Sequence, residues 1–165
     1  MAVKRMSSRQ CEIAAESYAA CLLAQAGYDV LVQYGANQPQ YDLAAVKGTR
    51  KLLISVKGSQ DGGWPLAVQY KKNGVTYHQA SDEWLKAQHP DVFFMLVQFI
   101  GIPLGVAPRV YVALPREIAA HMKTQRGGHG HGALHENFGG ASARSKHKHQ
   151  IPQTWAFTVA RIDSL

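Results

Sequence analysis

The feature that most constrains the fold is the stretch of the sequence from residue 41 to residue 57. Two apolar runs, YDLAAV and KLLISVK, flank a short polar segment that contains Gly48 and Thr49, a pattern typical of two strands joined by a tight turn. Side chains alternate between the two faces of a strand, so Ser55 and Lys57 share a face of the second strand. Because this run is apolar on both faces until Ser55, we expect a central strand that is buried on both sides.

Polar groups interrupt both strands where further aliphatic residues would be expected. Asp42 lies in the first run, and Ser55 and Lys57 lie near the end of the second. A carboxylate and an amine that enter a core from adjacent strands are costly unless they pair, bind a metal ion or take part in chemistry. Two interpretations therefore stand side by side, a structural ion pair that bridges the strands and a functional site.

The remainder of the chain predicts further helices and strands around these two strands. At 165 residues a single domain, residues 1–165, is expected. The predicted elements are a helix from Cys11 to Ala26 ended by Gly27, a strand over Asp29–Tyr34, a hairpin with Lys71, Lys72, Asn73 and Gly74 in its turn, a short helix capped by Ser81, an interior strand over Val92–Ile100, a strand over Val110–Leu114, a helix from Pro115 to about Thr124, and a last strand within Ile151–Leu165.

The segment from about residue 125 to residue 150 differs from the rest of the chain. It is rich in Gly, His and Lys and has no periodic apolar pattern, which predicts a long mobile loop. His129, His131 and His135 lie within it and suggest zinc as one interpretation. No Cys or acidic residue lies at a zinc-finger spacing, so a cationic loop over a nucleic-acid groove is the other interpretation.

Charge and cysteine content indicate the class of partner and the compartment. The formal net charge of +7 favours a polyanionic partner, and the candidate phosphate contacts are Lys71, Lys72, Arg144, Lys146 and Lys148. Cys11 and Cys21 fall within one predicted helix, too far apart for a disulfide, and are expected to be reduced thiols. No apolar run is long enough to span a membrane and no signal peptide is evident, so we expect a cytoplasmic protein without a membrane partner.

The order of the polar residues and the predicted elements resembles the PD-(D/E)xK superfamily, the restriction-endonuclease-like nucleases. The resemblance is greatest to the branch that contains archaeal Holliday-junction resolvases and some small homing endonucleases. Its signature matches Glu16 on the first helix, Gly27 at its end, Asp42 on the second strand and Ser55-Val56-Lys57 on the third, within residues 10–100. The resemblance implies an α/β fold, a mixed central β-sheet flanked by helices, with an α-β-β-β-α-β core and C-terminal additions.

The resemblance also implies a function, that of a DNA endonuclease that depends on Mg²⁺ or Mn²⁺ and hydrolyses phosphodiester bonds, often as a homodimer. Asp42 would be the principal metal ligand, the backbone carbonyl of Val56 a second ligand, and Glu16 would hold a metal-bound water from the helix. Lys57 would orient or deprotonate the attacking water and stabilise charge on the phosphate. Ser55 would complete the catalytic set.

Position 55 departs from the family pattern. The family usually has Glu, Gln or Asp there, whereas this chain has Ser55. A neutral hydroxyl is a weak ligand for Mg²⁺, which prefers charged oxygen donors. Two alternatives follow: Glu16 compensates for the missing charge, or the chain is a catalytically inactive DNA-binding module that retains the nuclease fold.

Overall fold

A computed structural model describes residues 5–33, 40–136 and 150–165. These residues form an α/β fold in which helices flank a mixed sheet, as the sequence predicts. The helices are α1 Ser8–Gln25, α2 Tyr77–Lys86, α3 Pro115–Thr124 and α4 Val159–Asp163. The strands are β1 Asp29–Val32, β2 Leu43–Lys47, β3 Arg50–Ser59, β4 Gly63–Trp64, β5 Val92–Gln98, β6 Arg109–Ala113 and β7 Leu134–His135.

The main sheet has five strands in the order β1-β2-β3-β5-β6, and β3 is its central strand. β3 and β5 are parallel, whereas the other neighbours are antiparallel. The tight turn between β2 and β3 is confirmed, since Lys47 pairs with Arg50 and only Gly48 and Thr49 separate them. Gly48 has a φ of +61°, which a residue with a Cβ adopts only at a cost.

The sheet is buried on both faces. Alternate residues of β5 belong to two different cores: Phe93 and Met95 pack with α1 and α4, whereas Phe94 and Leu96 pack with α2 and α3. All seven residues of β5 are buried, which confirms the interior strand predicted from its apolar run. The polar face of β3 therefore looks toward α2, and its apolar face looks toward α1.

Helix α1 packs closely on β3 at Gly58. A Cβ at this position would lie 2.8 Å from the Cys11 carbonyl oxygen and 2.9 Å from the Ala15 Cβ. The buried residues of α1 are Cys11, Ala15, Ala19 and Leu23. The helical spacing of apolar and small residues in the sequence predicts a core-facing stripe of Ile13, Ser17, Ala20, Leu23 and Ala24, but of these only Leu23 is buried and Ile13 is 47% exposed. Small side chains rather than Ile let the helix approach the sheet.

The predicted hairpin around Lys71 and Lys72 is wrong. Residues Val68–Tyr70 form a 3₁₀ turn, and α2 already begins at Tyr77. Thr76 caps α2, and Gln79 completes a capping box that satisfies two backbone N–H groups at the helix end. The predicted cap, Ser81, is instead buried within the helix.

The predicted last strand within Ile151–Leu165 is also wrong. Gln153–Trp155 forms a 3₁₀ turn, and Thr158 caps the short helix α4. A single bridge between Tyr111 and Ala156 is the β-type pairing of this segment. Trp155 and Ile162 are buried, so the aromatic and aliphatic residues of this segment contribute to the core without a strand.

The first part of the predicted mobile loop is ordered by contacts with the core. Residues 126–136 contain a 3₁₀ turn and β7, which pairs with β4. Glu136 is buried and accepts hydrogen bonds from Arg109 Nε and Nη2, each at 2.7 Å, and from the Tyr111 hydroxyl. The prediction for residues 137–149 lies outside the described residues.

Candidate active site

Asp42 lies immediately before β2 and extends the contact between β2 and β3. Its backbone N–H donates to the Ile54 carbonyl at 2.8 Å. Its Oδ2 accepts a hydrogen bond from the Val56 N–H at 2.6 Å and one from the Ser55 hydroxyl at 3.2 Å. The carboxylate thus takes the place of a backbone acceptor, so its position is set by the same interaction that holds the two strands together.

Lys57 lies beside this carboxylate. Its Nζ is 3.7 Å from Asp42 Oδ2, and the side chains of Lys57 and Asp42 are 44% and 17% exposed. A pair this open to solvent stabilises a fold by at most about 1 kcal/mol. Stability alone therefore gives a weak reason for placing the two charged groups here.

Glu16 reaches the same region from α1. It is half-buried, and its pKa is raised by burial first and then by the negative charges of Asp42 and Glu12, while the positive charges of Arg9 and Lys57 act in the opposite direction. An effect of Asp42 and Lys57 on this pKa requires that the three charges be near one another. Their proximity follows from the close contact of α1 with β3 at Gly58.

The Val56 backbone carbonyl is on the same edge of β3 as Asp42. In a strand the N–H and C=O of one residue point toward the same neighbour, and the Val56 N–H points to Asp42. The structure therefore brings Asp42, Ser55, Val56 and Lys57 into direct contact, and Glu16 is near enough to Asp42 and Lys57 for their charges to act on its carboxyl.

A cleft of about 390 Å³ opens beside these residues. One wall carries Asp42, Ser55 and Lys57, and the opposite wall comes from the 3₁₀ turn and α2. This second wall contains Tyr70, which the sequence suggested as a residue that stacks on a base, and three residues that sequence reasoning missed, Gln69, Trp84 and Gln88. They were missed because the sequence suggested a hairpin at residues 66–77, and only the capping box of α2 could have corrected that prediction.

The sequence suggests that Trp64 and Tyr70 stack on a distorted base beside Lys71 and Lys72, but Trp64 belongs to the core and cannot do so. It is fully buried, and its Nε1 donates a hydrogen bond to the Lys57 backbone carbonyl at 2.9 Å. This bond holds the end of β3 where Lys57 enters the cleft.

The donor set of the site is compatible with a magnesium ion held largely through water. Within the described ranges no group of three or more His, Cys, Asp or Glu side chains could hold a metal ion. The site instead offers two carboxylates, Asp42 and Glu16, and the Val56 carbonyl. Mg²⁺ commonly takes one or two protein carboxylates and keeps several waters, so these oxygen donors fit it. The contacts of Asp42 described above all use Oδ2, which leaves Oδ1 for a further partner.

Of the five predicted nucleic-acid contacts, two lie within the described residues and three lie outside them. Lys71 and Lys72 are exposed, on the segment that joins the cleft wall to α2. Arg144, Lys146 and Lys148 lie outside the described residues.

The histidines predicted as an alternative zinc site are only partly brought together. His135 Nε2 lies 3.3 Å from His131 Nδ1, while His129 is exposed. In residues 5–33, 40–136 and 150–165 no third ligand joins them in a group suited to a metal ion. The described histidines therefore give no support to the zinc interpretation.

No helix in the described part of the chain is long and apolar enough to cross a membrane. Comparison of the sequence with protein-family models finds no match, and comparison with curated proteins finds none either.

Proposed function

We propose that this chain is a metal-dependent DNA endonuclease with a PD-(D/E)xK-like site. The observation that carries the proposal is the contact of Asp42 with Lys57 beside one cleft, with Glu16 on α1 near enough for both charges to act on it. The Asp42–Lys57 contact and the effect of Asp42 on the pKa of Glu16 support it. An ion pair that served only to join β2 and β3 would not require a second carboxylate from α1.

Each side chain has a role that follows from its position. Asp42 and the Val56 carbonyl would hold Mg²⁺ or Mn²⁺, and Glu16 would hold a metal-bound water; the ion when bound supplies Lewis-acid stabilisation of the phosphate and a more acidic water. Lys57 would lie against the phosphate oxygens and stabilise the negative charge that grows on them. Its ammonium would also orient the attacking water.

Glu16 would act on the proton of the attacking water, and Ser55 would fix the geometry of the site. Because the pKa of Glu16 is raised, this carboxylate accepts a proton more readily than an ordinary surface Glu, which suits a group that takes a proton from the attacking water. Ser55 donates to Asp42 Oδ2 and so would orient that carboxylate, as a positioning residue rather than a metal ligand.

The second candidate function is a DNA-binding module that does not cleave. The specific observation in its favour is Ser55, which leaves the site with two carboxylates where the related pattern has a third acidic or amide side chain. In this case Asp42 and Lys57 would remain as a structural pair, and the positive charge of the chain would provide the affinity for DNA.

Cleavage assays on supercoiled, nicked, linear and branched DNA with Mg²⁺ or Mn²⁺ test the proposal. We expect wild-type protein to cut at least one of these substrates, and Asp42→Asn and Lys57→Met to lower the rate by at least about 100-fold, the size of effect typical of groups that stabilise a transition state. Asp29→Asn removes an exposed carboxylate at the start of β1 and serves as the matched control.

The pattern of binding distinguishes the two candidates. Wild-type protein that binds DNA without cutting any of these substrates would support the module. Equal cleavage by wild type and Asp42→Asn would contradict the nuclease proposal.

A further inference from the structure

A cluster of cationic and aromatic side chains surrounds Tyr77, at the first turn of α2. Lys71 Nζ lies 5.3 Å from the centre of the Tyr77 ring, and the Arg126 guanidinium carbon lies 5.7 Å from it. The His131 ring stacks on the same ring, with centroids 5.5 Å apart and an angle of 15° between the planes. We refer to these four residues, Lys71, Tyr77, Arg126 and His131, as the Tyr77 platform.

No salt bridge within the described residues neutralises the positive charge of the platform. The salt bridges within the described residues pair other Lys and Arg side chains, and neither Lys71 nor Arg126 takes part in one. The segments 1–4, 34–39 and 137–149 contain no Asp or Glu in their sequence, so they can supply no carboxylate. Two cations near one ring, neither of them in a salt bridge of the described residues, would each be stabilised by a bound anion.

The backbone holds the platform in place. Arg126 has a φ of 55°, a left-handed conformation that residues with a Cβ rarely adopt. The turn that follows is tied to α2, because His78 Nε2 is within 2.7 Å of the Gly128 carbonyl oxygen. Strained residues of this kind persist where the surrounding structure fixes them, often at binding sites.

The platform lies along the same wall as the candidate active site. Lys71 directly follows Tyr70, which lines the cleft, and α2 runs from Tyr77 at the platform toward Gln88 in the cleft. At about 1.5 Å per helical residue, Tyr77 lies about 16 Å from the Gln88 end of the cleft, whereas Lys71 lies next to its Tyr70 end. This distance corresponds to about five base pairs of B-DNA, at about 3.4 Å each.

We propose that the Tyr77 platform binds the phosphodiester backbone of DNA, a few nucleotides from the bond that lies in the cleft. Two cations suit two phosphate oxygens, and the exposed Arg126 guanidinium offers the planar donors that match a phosphate. Contacts with phosphates carry no base information, so the platform adds affinity at any sequence. The choice of DNA as the ligand rests on the proposed function, whereas the platform itself rests on its contacts and charge.

Fluorescence anisotropy with a labelled duplex, in Ca²⁺ or EDTA instead of Mg²⁺, measures binding without cleavage. The test variants are Arg126→Gly, which keeps the left-handed turn, and Lys71→Ala. Lys51→Ala is the matched control, because it removes one exposed positive charge from β3 outside the cleft. Thermal unfolding of each variant verifies that the fold is intact.

We expect each platform variant to bind the duplex about 5- to 20-fold more weakly than wild type, and Lys51→Ala to stay within about twofold. The slope of log affinity against log salt concentration should become shallower by about 0.9 for each phosphate that the variant no longer neutralises. Wild-type affinity and slope in both platform variants would overturn the inference. An equal loss of affinity in Lys51→Ala would also overturn it, since binding would then follow net charge alone.

Cleavage kinetics separate this inference from the proposed nuclease function. If both are right, the platform variants raise KM and leave kcat unchanged at saturating DNA. Binding that depends on the platform, in a wild-type protein that cuts nothing, would support the inference and contradict the nuclease. Cleavage with unchanged KM in both variants would support the nuclease and contradict the inference.

Discussion

Gly58→Ala is the most direct test of how the fold assembles the site, because Gly58 is where α1 meets β3. The added Cβ would lie 2.8 Å from the Cys11 carbonyl oxygen, 2.9 Å from the Ala15 Cβ and 3.1 Å from the Cys11 Sγ. Ordinary contacts between such atoms are about 3.5 to 4 Å, so α1 must move away from the sheet by about 0.5 to 1 Å. Overpacking of this kind costs about 1 to 3 kcal/mol.

The displacement should reach Glu16, which directly follows Ala15. A shift of about 1 Å in a catalytic group can lower a rate by about 100-fold, so we expect cleavage by Gly58→Ala to fall to a similar degree if the proposed function is right. The pKa of Glu16 should fall toward its ordinary value, because the carboxyl becomes less buried and moves away from the negative charge of Asp42.

The assays are urea unfolding followed by circular dichroism and a carboxyl NMR titration of Glu16. Gly48→Ala is the control: its Cβ meets nothing within 4 Å, so it reports only the cost of a left-handed residue, about 1 kcal/mol. An unchanged free energy of unfolding in Gly58→Ala, together with an unchanged pKa of Glu16, would refute the argument that this close contact positions the site.

Two further predictions concern ionisable groups. Burial and nearby negative charges raise the pKa of Glu16, so its ionised form opposes folding. Glu16→Gln should therefore increase the free energy of unfolding at pH 7. This gain should disappear as the pH falls below 4.5, the ordinary pKa of the carboxyl, because Glu16 is then protonated in both the folded and the unfolded chain. A gain that persists at pH 3 in urea unfolding would contradict this account. For Glu136, burial acts to raise the pKa, but hydrogen bonds from Arg109 and Tyr111 lower it overall. The contribution of the ionised Glu136 to stability is therefore present above pH 4.5 and is lost as the pH falls through the lowered pKa. Because the Arg109 side chain is 39% exposed, Glu136→Gln should destabilise the protein at pH 7 by about 1.5 to 3 kcal/mol, the range for hydrogen bonds to charged groups. Burial and Glu136 raise the pKa of Tyr111 to about 12. Glu136→Gln should therefore make one tyrosine ionise at lower pH in an ultraviolet titration. An unchanged titration would show that Glu136 does not raise the pKa of Tyr111.

The sequence was informative wherever a local pattern had only one physical solution. Gly48 in a two-residue turn, the apolar run of β5 and Pro115 at the start of α3 each specified an element that the structure contains. It misled where two local signals competed. Asn73-Gly74 forms a turn, as its sequence predicts, with a φ of 78° at Gly74, but the capping box of Thr76 and Gln79 starts a helix three residues later in place of the expected strand.

The alternation around Trp155 misled for a different reason. Its aromatic and aliphatic residues are buried, but β6 offers this segment a single bridge, so the chain turns into α4 instead of adding a strand. Alternating hydrophobicity records which residues are buried and does not record whether a neighbouring strand edge is available.

By itself the sequence determined the α/β class, the pair of strands that carries Asp42 and Lys57, and the residue types available for chemistry. Only the tertiary structure decided that Glu16 joins them, that Tyr70 and Gln88 form the opposite wall, and that Lys71 and Arg126 meet at Tyr77. The physical reason is distance along the chain: strand and turn patterns arise from neighbouring residues, whereas these contacts depend on how closely helices pack on the sheet. A glycine at position 58 sets that approach for α1, and its role is visible only when the helix lies on the strand.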